Sequence, residues 1–142
     1  MMNDSPRHSV SVTGVVVRPD GLILAIKRAD DGRWVPPGGV LELDESPQDG
    51  VVREIYEETG IKVNPIRLTG VYKNMRLGVV SLAFRCEVIG GEMHTSSEST
   101  RVEWISVSDA VTSMPEARAV RVTDALRDDG PFVRIHDGDA VM

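Results

Sequence analysis

Apolar and polar positions along this chain follow a strand-like period over most of its length and a helical one in two stretches. Ser9 to Val17 is rich in Val and Thr and predicts a strand. Arg18-Pro19-Asp20-Gly21 is a turn signal, and Leu22 to Lys27 predicts a second strand, so the two are expected to form a hairpin. Ala29 to Arg33 reads as a charged loop leading into Trp34-Val35-Pro36-Pro37-Gly38-Gly39. Ile66 to Lys73 and Val79 to Ile89 predict two more strands, joined by a turn near Asn74 to Gly78. Gly90 to Thr100 is polar and reads as a loop, and Arg101 to Val107 predicts a short strand carrying Trp104. Ser108 is expected to cap a short helix interrupted at Pro115, and Glu116 to Arg127 places Ala119, Val120, Val122 and Leu126 at mixed helical spacing. Asp128 to Met142 is acidic, with two Gly and a Pro, and reads as a tail or an edge strand.

The helix from Pro47 to Thr59 is bracketed at both ends. Ser46 supplies an N-cap, Pro47 occupies the first helical position, Asp49 follows three residues after the Ser, and Gly60 suits the position after the last turn. At 100° per residue, Val51, Val52, Ile55, Tyr56 and Thr59 gather on one side. Glu54, Glu57 and Glu58 gather on the other, because residues three and four apart are neighbours on a helix. Gly50 falls in the middle of that acidic face, where its missing side chain is expected to leave room for something to approach the carboxylates. A mid-helix Gly costs roughly 1 kcal/mol relative to Ala, so the position calls for a reason.

Composition narrows the class. At 142 residues the chain is one domain by length, and 41% hydrophobic content permits a core. Residues 1–8 are expected to be a flexible tail, 9–127 the domain and 128–142 a C-terminal extension. The net charge of −6 argues against a nucleic-acid polymer as partner, since a phosphate backbone calls for a basic stripe. A nucleotide is also a poor match for so acidic a chain unless bound metal reverses the local sign. The single cysteine, Cys86, lies in an apolar run, cannot form an intrachain disulfide and reads as a small buried hydrophobe. The histidines His8, His94 and His136 share no ligand spacing. With no signal peptide and no twenty-residue apolar span, the expected location is cytoplasmic, with no membrane partner.

Three carboxylates within one helical turn repel one another, and no lysine is interleaved among them. Such a cluster suits a hard divalent cation, Mg²⁺ or Mn²⁺, with substrate phosphates and waters completing the coordination. The surrounding residues sharpen this. Gly39, Glu45, Arg53, Glu54, Ile55, Glu57, Glu58, Gly60 and Ile61 stand at the spacing G-x5-E-x7-R-E-U-x-E-E-x-G-U, with U bulky and apolar. A chance match at all nine has a probability on the order of 10⁻⁸ in such a chain. The chain therefore resembles the Nudix hydrolases, specifically over this box and the preceding Trp34 to Gly38 segment, and more loosely from Val10 to Leu126. It departs from many relatives at Asp44, Gly50 and Pro36, none of which is a box carboxylate.

The resemblance implies an α/β fold, a mixed β-sheet sandwiched between helices, and a metal-dependent hydrolase of a phosphoanhydride bond. Carried over residue by residue, it makes Glu54, Glu57 and Glu58 cation ligands, with Glu54 alternatively the base that deprotonates water, and the backbone at Gly38 a further ligand. Arg53 is expected to pair with Glu45 and fix the loop against the helix, or to form an i,i+4 pair with Glu57. Glu98, in the loop before Trp104, is a candidate further ligand or base. Tyr72, Trp34 and Arg28 are candidates to hold the rest of the substrate, a nucleoside triphosphate or a nucleotide sugar such as ADP-ribose. The family is often homodimeric. The rival reading is a Nudix-fold module that senses a nucleotide without cleaving it. Such a module is expected to have lost box carboxylates, and here all are present.

Overall fold

The computed structural model describes residues 4–142. The expectation of a flexible tail at residues 1–8 falls partly on residues 1–3, outside the described part. In order, the elements are β1 (Ser9–Val16), β2 (Ile23–Arg28), β3 (Trp34–Val35), β4 (Gly38–Val40), α1 (Pro47–Thr59), β5 (Ile61–Asn74), β6 (Val79–Gly91), β7 (Ser99–Ile105), α2 (Val107–Ser113), α3 (Glu116–Ala125) and β8 (Phe132–His136).

The strands form a five-stranded mixed sheet, β4-β1-β6-β5-β8, and a three-stranded antiparallel sheet, β3-β2-β7. The expected β1–β2 hairpin is not formed. β1 pairs in parallel with β6 and antiparallel with β4, whereas β2 belongs to the other sheet, and only a bridge at Val17 and Ile23 joins their ends. The turn itself forms, Gly21 N–H donating to the Arg18 carbonyl, but a turn does not dictate that its flanks pair. The β5–β6 hairpin forms as expected, with β5 starting five residues earlier, at Ile61. Ser106, not Ser108, caps α2, its Oγ accepting the Asp109 N–H at 3.1 Å. The C-terminal segment supplies an edge strand, β8, parallel to β5.

Strand alternation explains how one chain fills two cores. Val12 and Val16 of β1 and Leu24 of β2 face α1, where they pack with Val51, Ile55, Phe84 and Cys86. Val15, Ile23 and Ala25 face the other way, toward Ala110, Met114, Ala119, Val122 and Ala125 of α2 and α3. β1 and β2 are therefore buried on both faces, which is why their sequences read as nearly continuous apolar runs. No helix among the described residues is long and apolar enough to cross a membrane.

α1 matches its sequence bracket residue for residue. Asp49 N–H donates to Ser46 Oγ at 3.1 Å, and Gly60 ends the helix at φ 78°, a left-handed conformation that favours glycine. Its apolar face buries Val51, Ile55 and Thr59, while Tyr56 is exposed. Full burial of an Ile side chain such as Ile55 stabilises by about 1.5–3 kcal/mol, enough to dictate which way the helix faces.

Candidate active site

A cleft of about 530 Å³ opens between the two sheets beside α1. Its walls come from β1, the end of β2, β3–β4, α1, the loop before β7 and α3. Glu54 and Glu58 line it, although each is largely buried, at 8% and 4% exposure. Glu98, Arg28, Gly38 and Gly39 line it too. The Ala29 N–H donates to the Glu98 carbonyl at 2.9 Å, fastening that loop to the end of β2.

The two carboxyls on α1 are held by the segment opposite. Gly38 N–H donates to Glu58 Oε1 at 3.1 Å. Gly39 fits against Glu54 only because it has no side chain, since a Cβ there would lie 2.5 Å from Glu54 Oε2. Burial pushes the Glu58 carboxyl up to about 8, and the neighbouring Glu54 and Glu98 carboxylates push the same way, with the Gly38 N–H opposing them. Among the described residues no cation forms a salt bridge with Glu58, and its burial favours the protonated form.

Arg53 is the hub of the loop and helix. Its Nε and Nη2 donate to Glu45 Oε2 and Oε1 at 2.9 and 2.6 Å, its Nη1 to Glu54 Oε1 at 2.9 Å and Glu57 Oε2 at 3.2 Å, and its Nη2 to the Val40 carbonyl at 3.2 Å. All five guanidinium N–H groups are used. Both pairings weighed from the sequence are thus present, and the Glu45 fork is the closer. The hydrogen bonds from Arg53, with the Glu42 N–H adding to them, hold the Glu45 carboxyl down to about 2.

Several expectations change. Glu57 does not line the cleft; its side chain is 58% exposed and lies against Arg53. Accordingly, no group of three His, Cys, Asp or Glu side chains among the described residues is gathered closely enough to hold a metal ion. Tyr72 is fully buried, its hydroxyl donating to Asp124 Oδ2 at 2.7 Å, so it is a core residue and does not meet substrate. Trp34 packs against the second core, with the Arg101 guanidinium 5.7 Å from its ring, and also stays out of the cleft. Gly50 makes room for the loop's own Leu41 and Glu45, which a Cβ would meet at 2.6 and 3.0 Å, and not for a ligand. The glycine whose missing Cβ opens the carboxylates is Gly39. Sequence reasoning missed Arg118 of α3, which also lines the cleft. Nothing in its local spacing distinguishes it from a solvated helical arginine.

A family model described as NUDIX domain matches residues 7–126. A MutT-like protein from Streptomyces ambofaciens is 59% identical over 133 residues, covering 94% of this chain and 86% of that protein. An ADP-ribose pyrophosphatase from Methanocaldococcus jannaschii is 35% identical over 108 residues, covering 71% of this chain and 63% of that protein. Among solved structures, an ADP-ribose pyrophosphatase from Streptococcus suis superposes with a TM-score of 0.76 at 24% identity, covering 92% of this chain and 100% of that one, a likeness of fold. With the whole box in place, Glu54 and Glu58 turned into a cleft and the family model matching residues 7–126, this chain is a member of the Nudix hydrolase family.

Proposed function

We propose that the protein hydrolyses a phosphoanhydride bond in a small nucleoside-diphosphate-linked substrate, a nucleoside triphosphate or a nucleotide sugar, with Mg²⁺ or Mn²⁺ as cofactor. The observation that carries this reading is the convergence of Glu54 and Glu58 in a nucleotide-sized cleft with Glu98 nearby. Glu54 is paired with Arg53, but Glu58, buried beside it, has no salt-bridge partner among the described residues, an arrangement that is costly unless Glu58 keeps a proton or a cation binds. Glu54, Glu57, Glu58 and the Gly38 backbone offer oxygen donors, the set that a hard divalent ion takes. That donor chemistry suits the ion, with Glu57 having to turn in from outside the cleft to complete the set. Glu54 and Glu58 would hold it from the cleft, and Glu57 would join from its exposed position. When bound, such an ion neutralises charge on a diphosphate and makes water a better nucleophile.

The chain's own residues supply positioning and proton transfer. Gly38 N–H fixes one oxygen of Glu58, and Arg53 fixes one oxygen of Glu54 while tying the 41–46 loop to α1. Glu98 or Glu54 accepts the proton of the attacking water. Products are a nucleoside monophosphate with pyrophosphate or with a sugar phosphate. Relatives named ADP-ribose pyrophosphatase and MutT-like protein support the anhydride chemistry. The test is a panel of nucleoside triphosphates and nucleotide sugars incubated with Mg²⁺ or Mn²⁺, with phosphate and pyrophosphate release followed. Turnover that EDTA abolishes is expected. Tight nucleotide binding without turnover of any member would overturn the reading in favour of a sensing module.

A further inference from the structure

Apart from its carboxylates, the cleft holds an uncompensated positive pole. The Arg118 guanidinium lines it and, among the described residues, makes no hydrogen bond or ion pair. One turn on, Arg121 is 1% exposed behind Thr13, another lining residue, to which its Nη1 donates at 2.9 Å. Its other contacts are His136 Nε2 at 3.3 Å and the face of Tyr72 at 5.1 Å, and its Nε has no partner. Neither arginine touches a carboxylate. Nearby arginines differ: Arg28 is paired with Asp30 at 2.6 Å, and Arg134 with Asp124 at 2.6 Å. Leaving two guanidinium groups without anions beside and beneath a cleft is costly, and an anionic ligand offsets that cost.

The pole is set off from the glutamates. Glu58 acts on Arg28, whereas the charges acting on Arg118 are those of Arg28, Asp31 and Arg33. The cleft also has no aromatic ring among its described lining residues. A base would find no face to stack on, whereas a phosphoryl group would find a planar five-donor fork.

We infer that Arg118 is a specificity-determining residue that binds a phosphoryl group of the substrate outside the scissile linkage, with buried Arg121 reinforcing the positive field. The inference rests on the hydrolase reading for its location and refines the substrate class. A chain of three phosphates is favoured over a diphosphate that ends in a neutral sugar.

The test pairs kinetics with a binding measurement that needs no turnover. Wild type, R118Q and the charge-retaining R118K are compared on ATP and ADP-ribose with Mg²⁺, and by calorimetric titration with α,β-methylene-ATP and α,β-methylene-ADP. In R118Q the preference for the triphosphate over its shorter counterpart is expected to fall about tenfold or more in both measurements, expressed in KM rather than kcat, with R118K recovering part of it. An unchanged binding preference in R118Q overturns the inference, whether or not the wild type turns anything over. Equal losses for both analogues also overturn it, because they mark a structural role. Failure of the wild type to hydrolyse either substrate counts against the hydrolase reading alone, since the methylene analogues still report on Arg118.

Discussion

Arg53 grips Glu45 with both sides of its fork, Nε to Oε2 at 2.9 Å and Nη2 to Oε1 at 2.6 Å, across eight residues of sequence. A lysine presents a single point charge and cannot reproduce that geometry. R53K is therefore expected to keep the fold, by circular dichroism, while kcat/KM falls about ten- to a hundredfold through misplacement of Glu54 and of the loop. Near-wild-type turnover in R53K would mean that the clamp does not position the site.

Gly39 tests the close approach directly. An alanine Cβ there would lie 2.5 Å from Glu54 Oε2, and the carboxylate must move to admit it. G39A is expected to lose on the order of a hundredfold in kcat/KM with only a small change in melting temperature. A variant that retains activity would place the working carboxylate elsewhere.

Glu58 makes stability depend on pH in an unusual direction. Its folded-state value lies near 8, above its ordinary 4.5, so its contribution to stability is complete below about 4.5 and is lost as pH rises through about 8. In EDTA the melting temperature should therefore fall across that window more steeply than in E58Q. Mg²⁺ or Mn²⁺, which binds the charged form, should stabilise the protein more at pH 8 than at pH 5.5. A metal-induced shift equal at both pH values would remove Glu58 from the ligand set.

Asp124 ties three elements together. It is 2% exposed and accepts from the Tyr72 hydroxyl at 2.7 Å and from Arg134 Nε and Nη2 at 2.6 and 2.7 Å. D124N keeps the shape but removes the charge that Arg134 pairs with. Urea denaturation is expected to give a loss of about 2–3 kcal/mol, below that for a fully buried pair because Arg134 is partly exposed. No change in the midpoint would show that the network contributes little.

The parts of this molecule that were legible in its sequence are those whose causes are local. Ser46, Pro47 and Gly60 define α1 by capping chemistry, and the three-and-four spacing puts Glu54 and Glu58 on one side of it. Glu57 diverges because helical spacing reports which residues are neighbours, not where the cleft will lie. Tyr72 and Trp34 were misplaced for a similar reason: an aromatic on a strand faces core or cleft according to partners far away in sequence. β1 and β2 flank a genuine turn yet enter different sheets, because β1 finds its partners in β4 and β6. Arg118 acquires meaning only when α3 packs behind β1 and brings it to the cleft wall.

β8 adds its five residues to the sheet beyond the reach of the family model, and none of them lines the cleft. Through Arg134 it nevertheless braces Asp124, one turn along the helix from Arg121 and two from Arg118. Proteolytic nicking between α3 and β8 would take away that strut. On the phosphate role proposed for Arg118, catalysis would then fade through loosened substrate recognition while the box itself stayed whole.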